Sequence, residues 1–125
     1  MNPKFVSVSS NDFLPADSLI SLDGKGIDTL VTYQAHNGSI LQLYSDLDIS
    51  EVYNHWKAAC PIISADKSRY PVMVSTNTAV LLKDIQKVNL TTGKNVYVHV
   101  SCPTGTTVIK SNMLYGEVCF NINNV

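Results

Sequence analysis

The feature that most constrains this chain is an apolar pattern of period two. Between Ile27 and Ser45, Leu30 and Thr32 fall on one side of IDTLVTYQA while Val31 and Tyr33 fall on the other, and SILQLYS continues the alternation. Successive side chains on opposite faces define a pleated strand, whereas a helix needs its apolar residues every third or fourth position. Asn37-Gly38 separates the two runs, and this dipeptide predicts a tight hairpin turn whose two central residues both take positive φ. Phe5, Ser7 and Ser9 alternate with Val6 and Val8 in the same way. FLPADSLISLDG carries Leu14, Leu19 and Leu22 into a turn at Asp23-Gly24-Lys25-Gly26. PVMVSTN, AVLLKDIQKVNL, KNVYVHVSC and TTVIKS read as further strands, with turns at Thr91-Thr92-Gly93-Lys94 and Pro103-Thr104-Gly105. EVCFNIN alternates Val118, Phe120 and Ile122 and reads as a terminal strand.

One stretch breaks the period. In DISEVYNHWKAAC, Ile49, Val52, Tyr53, Trp56 and Ala59 form an apolar stripe at helical spacing. Asp48 and Glu51 have the spacing of a capping box, and Pro61 just past Cys60 closes the helix because it lacks an N–H. PIISADKSRY then reads as a connection. The expected fold class is mainly β, a β-rich α+β arrangement in which two small antiparallel sheets flank one central helix near residues 48–59.

The two halves resemble each other. LPADSLISL (14–22) aligns with VLLKDIQKV (80–88), and LVTYQAHNG (30–38) with YVHVSCPTG (97–105), at an offset that drifts from 66 to 67 residues. A duplication with half-repeats at 5–46 and 71–112 accounts for this, as do two meanders with similar turn chemistry. Two copies are too few for a solenoid, so a pseudo-symmetric sandwich or two packed sheets within one domain, residues 1–125, is the expected outcome.

Charge narrows the function. Charged residues make up 15% of the 125 residues, against roughly 25% in ordinary soluble domains, and Ser, Thr and Asn fill the gap. A polar but weakly charged surface suits packing against copies or neighbours. The net charge is −1, Arg69 is the only arginine and the lysines are scattered, so long nucleic acid is not an expected partner. The first residues, MNPKFVSVSS, carry no signal-peptide stretch, and no run is long and apolar enough to span a membrane. With Cys60, Cys102 and Cys119 an odd set without ligand spacing, reduced and mostly buried cysteines are expected.

Catalytic patterns are missing. No G-x-S-x-G or phosphate-loop motif occurs, and His36, His55 and His99 form no zinc-like spacing with the cysteines. Asp46-Leu47-Asp48 begins like a calcium loop but lacks its glycine and terminal acid, and helix capping explains Asp48 and Glu51. Cys102 lies three residues from His99, on the opposite face of a strand, so a thiol–imidazole pair is not expected. No enzyme, metal or cofactor is predicted. Ligand or interface candidates are the amphipathic tyrosines Tyr44, Tyr70, Tyr97 and Tyr115, which sit near strand ends or loops, with Lys94 and Lys110. The edge from Ser39 to Tyr44 is a further candidate for pairing with another copy.

The segments LISLDG, LVTYQAHNGSILQL and DISEVYNHW, in that order, resemble small β-rich proteins encoded by tailed bacteriophages. That resemblance covers residues 5–57 and implies a non-enzymatic binding or assembly protein, acting as an oligomer or with other virion proteins, in the host cytoplasm or the virion. The alternative it implies is an anti-defence sponge that sequesters a cyclic nucleotide or ADP-ribose-type signal of the Thoeris kind, with Lys94, Lys110 and backbone amides holding the phosphates.

Overall fold

A computed structural model describes residues 4–60 and 67–125 and contains ten strands and two α-helices among them. The strands are β1 (Phe5–Ser7), β2 (Phe13–Pro15), β3 (Leu19–Lys25), β4 (Asp28–Gln34), β5 (Ile40–Ser45), β6 (Pro71–Ser75), β7 (Thr78–Leu81), β8 (Ile85–Leu90), β9 (Val96–Cys102) and β10 (Gly105–Ser111). The helices are α1 (Ile49–Ala59) and α2 (Tyr115–Asn123). All pairing is antiparallel, in sheets ordered β1-β2, β10-β9-β8 and β5-β4-β3-β7-β6. The chain is therefore mainly β, as its period-two pattern predicts.

Three local expectations change. AVLLKDIQKVNL is not one strand: a single 3-10 turn at Leu82–Asp84 divides β7 from β8, as the turn Ala16–Ser18 divides β2 from β3. The segment 115–123 is a helix, so α2 stands where a terminal strand was predicted and joins α1 as a second helix. Val118 and Ile122 are also four apart, and both pack on the core, whereas Phe120, which completes the period of two, is exposed. Glu117 fixes the start of α2, its Oε1 accepting the Leu114 N–H at 3.1 Å. The Asn37-Gly38 turn is longer than predicted. Five residues, 35–39, join β4 to β5; only Gly38 takes positive φ (+88°), and the Gly38 N–H reaches the Ala35 carbonyl at 2.9 Å. Asn37 Oδ1 instead accepts the Ser39 N–H at 3.0 Å. Asp48 caps α1 by accepting the Glu51 N–H at 2.9 Å, while Pro61, expected to close that helix, lies outside the described residues.

Residues 5–59 and 71–123 run through the same order: hairpin, 3-10 turn, three-stranded meander, helix. The correspondence extends to single bonds. Ala16 N–H donates to Lys4 O (2.8 Å), and Leu82 N–H, 66 residues on, to Tyr70 O (2.9 Å). Ser10 N–H donates to Asp46 Oδ1 and Thr76 N–H to Asn112 Oδ1, both at 2.9 Å. Leu47 N–H meets Ser45 Oγ and Met113 N–H meets Ser111 Oγ, both at 3.0 Å. Each helix is tied to its own hairpin at the same position: His55 Nδ1 lies 2.9 Å from Ser7 O, and Asn121 Nδ2 donates to Met73 O at 3.1 Å. The ladders even slip together, with a bulge between Leu19 and Ser21 in β3 and another between Ile85 and Lys87 in β8.

Two clusters make the core. The first gathers Val6, Val8, Leu19, Leu22, Val31, Val52 and Trp56, and the second Val72, Val74, Val80, Val96, Val98, Val100 and Val118. The β6–β7 hairpin lies between them, with Ala79 and Leu81 in the first and Val72, Val74 and Val80 in the second. A hairpin covered on both faces needs an unbroken apolar run, and PVMVS with TAVL supplies it.

Candidate functional site

The join between the halves is a strand junction. β7 adds to β3 with Val80 opposite Ser21, Ala79 opposite Leu22 and Thr78 opposite Asp23, and Gly24 N–H reaches Asn77 O at 2.7 Å. Glycine suits that point, because a Cβ on Gly24 would stand 3.3 Å from the Asn77 Cβ. Arg69 reinforces the join by donating from its guanidinium to the Asp17 carbonyl. Tyr53 of α1 and Met73 of β6 both pack on the first core cluster. The second half therefore docks its hairpin on the edge strand and helix of the first.

The same two surfaces recur at the ends without an occupant among the described residues. β8, the counterpart of β3, is an edge strand of its sheet, and Val88 is half-buried where its counterpart Leu22 is fully buried. The β1–β2 hairpin, counterpart of β6–β7, pairs with no other strand. Its outward residues Phe5 (46% exposed) and Phe13 (65%) stack with ring centroids 5.1 Å apart, whereas their counterparts Pro71 and Ala79 are buried. Exposed aromatic pairs of this kind mark contact surfaces more often than ordinary exterior. Phe5 and Phe13 were not singled out as site residues by sequence reasoning. The signal available was the alignment of Phe13 with Ala79 in the internal repeat.

A cleft of about 430 Å³ opens between the two larger sheets, within the range of small-molecule sites. Ser21, Asp23 and Thr78 form one wall and Val100, Cys102 and Thr107 the other. Among the described residues no lysine, arginine or histidine lines it, and the charged ones that do are Asp23 and Asp84. Burial pushes the Asp23 carboxyl above its ordinary value, against the pull of Lys25 and a Thr78 hydrogen bond. Cys102 Sγ lies 3.4 Å from Thr104 Oγ1 and 3.3 Å from Thr107 Oγ1, and these bonds lower its pKa. The three cysteines are free; Cys60 is buried, whereas Cys102 and Cys119 are half-buried. The buried setting expected of Cys102 gives way to a cleft-lining one, because β9 ends there. His99, on the other face of β9, has Nε2 2.8 Å from Asn89 Oδ1.

The six sequence-derived candidates do not converge. Tyr44 is 69% exposed on edge strand β5. Tyr97 and Lys110 face each other across β9 and β10. Lys94 sits at φ +63° in the β8–β9 turn, and Tyr115 opens α2, 40% exposed, its hydroxyl pKa raised by the neighbouring Cys119. Tyr70 is half-buried against the first cluster. None of the six lines the cleft. Among the described residues no group of three or more His, Cys, Asp or Glu is placed to hold a metal, and no helix is long and apolar enough to cross a membrane. No family model, curated protein or solved structure matches the chain.

Proposed function

We propose that this chain is a non-catalytic assembly protein that works by oligomerising, of the structural or accessory virion type that its resemblance to phage-encoded proteins implies. One observation carries the reading. The two surfaces that join the halves inside the chain, a β3-type edge and the outward face of a hairpin, each recur open at one end. An unpaired edge invites strand addition, and an exposed aromatic pair on a hairpin marks a contact surface. Light scattering or mass photometry at micromolar concentration should show a defined oligomer or a concentration-dependent series. A monomer throughout that range overturns the reading.

A small-ligand role draws support from the volume of the cleft. The nucleotide version of that role draws little, because phosphate recognition favours arginine forks and lysines, and no basic side chain among the described residues lines the cleft. A thermal-shift screen against cyclic nucleotides and ADP-ribose derivatives separates the two functions. Ligand at a hundredfold over its Kd would add about 2.7 kcal/mol of stability.

A further inference from the structure

We infer that the occupant of the β8 edge is the β1–β2 hairpin of a second copy of this chain, added antiparallel with Leu14 opposite Lys87, Phe13 opposite Val88 and Asp12 opposite Asn89. This inference rests on the assembly reading and specifies its interface. The register is that of the internal junction carried forward by one half: Val80, Ala79 and Thr78 of β7 correspond to Leu14, Phe13 and Asp12, and Ser21, Leu22 and Asp23 of β3 to Lys87, Val88 and Asn89.

The chemistry of the two surfaces agrees with that register. On the helix-facing side, Ala79 packs beside Leu22 in the first core cluster. Phe13 of the second copy takes that place beside Val88. Half-buried Cys119 and Ile122 of α2 stand there where Tyr53 and Trp56 stand in α1. The larger ring replaces volume that Trp56 supplies inside the internal junction. Phe5 follows Phe13 because the two are stacked. On the opposite side, Asp12 of the second copy lies diagonal to Lys87, within reach of a long side chain. Pro15 does not interrupt the ladder, because its counterpart Leu81 lies outside the β3–β7 pairs. One substitution is unfavourable: Leu90 stands in the place of Gly24, where a Cβ alone would lie 3.3 Å from the Asn77 Cβ, so the ladder end beside Asn11 has to open.

β5 and β10 are edges as well, but inside the chain neither is paired on its outer side, so no contact there provides a template. Hairpin to β8 is a head-to-tail contact in which donor and acceptor differ. It therefore propagates into rings where the rotation closes and into filaments where it does not.

The test mixes two full-length variants, Phe13→Cys and Val88→Cys, treats them with a short bismaleimide and reads covalent dimer on a denaturing gel beside the wild type, whose native thiols set the background. The mixture should give several-fold more dimer than either variant alone. A second mixture, Asp12→Cys with Asn89→Cys, keeps Phe13 and should behave alike. Phe13→Cys mixed with Lys110→Cys, on the far edge of the same sheet, should stay at background. Equal cross-linking of one variant with itself, or of the Lys110→Cys control, overturns the head-to-tail register. So does background dimer in both mixtures while light scattering on the same samples shows oligomers, an outcome that leaves the assembly reading standing. Monomers in light scattering overturn both.

Discussion

Val52 and Val118 occupy the same place in α1 and α2, and both are fully buried, one in each core cluster. Truncating either to alanine removes two methyl groups, about 1.6 kcal/mol of transfer free energy. The cavity left behind raises the cost to roughly 2–3 kcal/mol. Alanine is the better helix former and returns about half a kcal/mol, which leaves a net loss of about 2 kcal/mol at each site. The local arithmetic is the same for both, so the informative question is which part of the molecule each loss destabilises. Because β7 is hydrogen-bonded to β3 while contributing to both clusters, a cavity in either half should weaken the whole.

Trp56 makes this measurable, as the single tryptophan, fully buried in the first cluster. Its fluorescence follows that cluster during urea unfolding, while far-UV circular dichroism follows all the strands and helices. Val118→Ala, in the other cluster, should move the Trp56 transition and the dichroism transition together, by the same amount as Val52→Ala. Coincident probes are the signature of one cooperative unit. If Val118→Ala leaves the Trp56 midpoint at its wild-type value while part of the dichroism is lost at lower urea, the β3–β7 junction does not weld the halves and the reasoning fails. Costs differing by more than about 1 kcal/mol would also refute the equivalence of the two positions.

The caps of the two helices offer an exchange. Asp48→Ala should cost about 1 kcal/mol in urea unfolding, and Leu114→Asp, which gives α2 the N-cap acceptor that its exposed leucine side chain lacks, should gain about 0.5–1 kcal/mol. For Asp23, burial raises the folded pKa, so the native state holds that proton more tightly than the unfolded chain. Stability is then lost as pH rises through the window from the ordinary carboxylate value to the raised one. Asp23→Asn should remove that loss, its advantage over wild type growing with pH and then levelling; an advantage independent of pH refutes the burial argument. Hydrogen bonds from Thr104 and Thr107 favour the Cys102 thiolate, while burial disfavours that of Cys60. Mass spectrometry of iodoacetamide labelling at neutral pH should find Cys102 modified first and Cys60 last, and Thr107→Val should slow Cys102 several-fold.

Period two read most strands correctly because most of them keep one face on a cluster and one toward solvent or the cleft; β6 and β7, covered on both faces, show as apolar runs instead. It failed where one residue set satisfies two periods: Val118 and Ile122 fit a strand through Phe120 and a helix without it. Only the packing of Val118 on β6 and β9 residues decides between them. The 3-10 turn at Leu82–Asp84 was hidden because apolar Leu81 and Leu82 run on without a glycine or proline. The candidate surfaces were less legible still. Tyrosines and lysines were selected by residue type, whereas Phe5 and Phe13 matter by position. Their exposure acquires meaning only once Pro71 and Ala79 are seen buried in the equivalent hairpin. Period counting carries no information about which edge a later hairpin will cover.

The ends of the chain differ from its internal junction in a directed way. A repeat array that stops in water ends on units whose outer faces are polar, since an apolar outer face would recruit another unit. The first hairpin does the opposite, because the positions filled by Pro71 and Ala79 inside the chain carry phenylalanine at its exposed end. β8 is guarded rather than open to any strand: Lys87 stands where β3 has Ser21, and an edge lysine deters indiscriminate pairing. A hairpin bearing Asp12 diagonal to that lysine brings a counter-charge that a neutral strand lacks. Aromatic rings at one end favour association, and the lysine at the other restricts the partner. The pair of features is what a head-to-tail contact between copies of one chain requires, because each copy brings both ends.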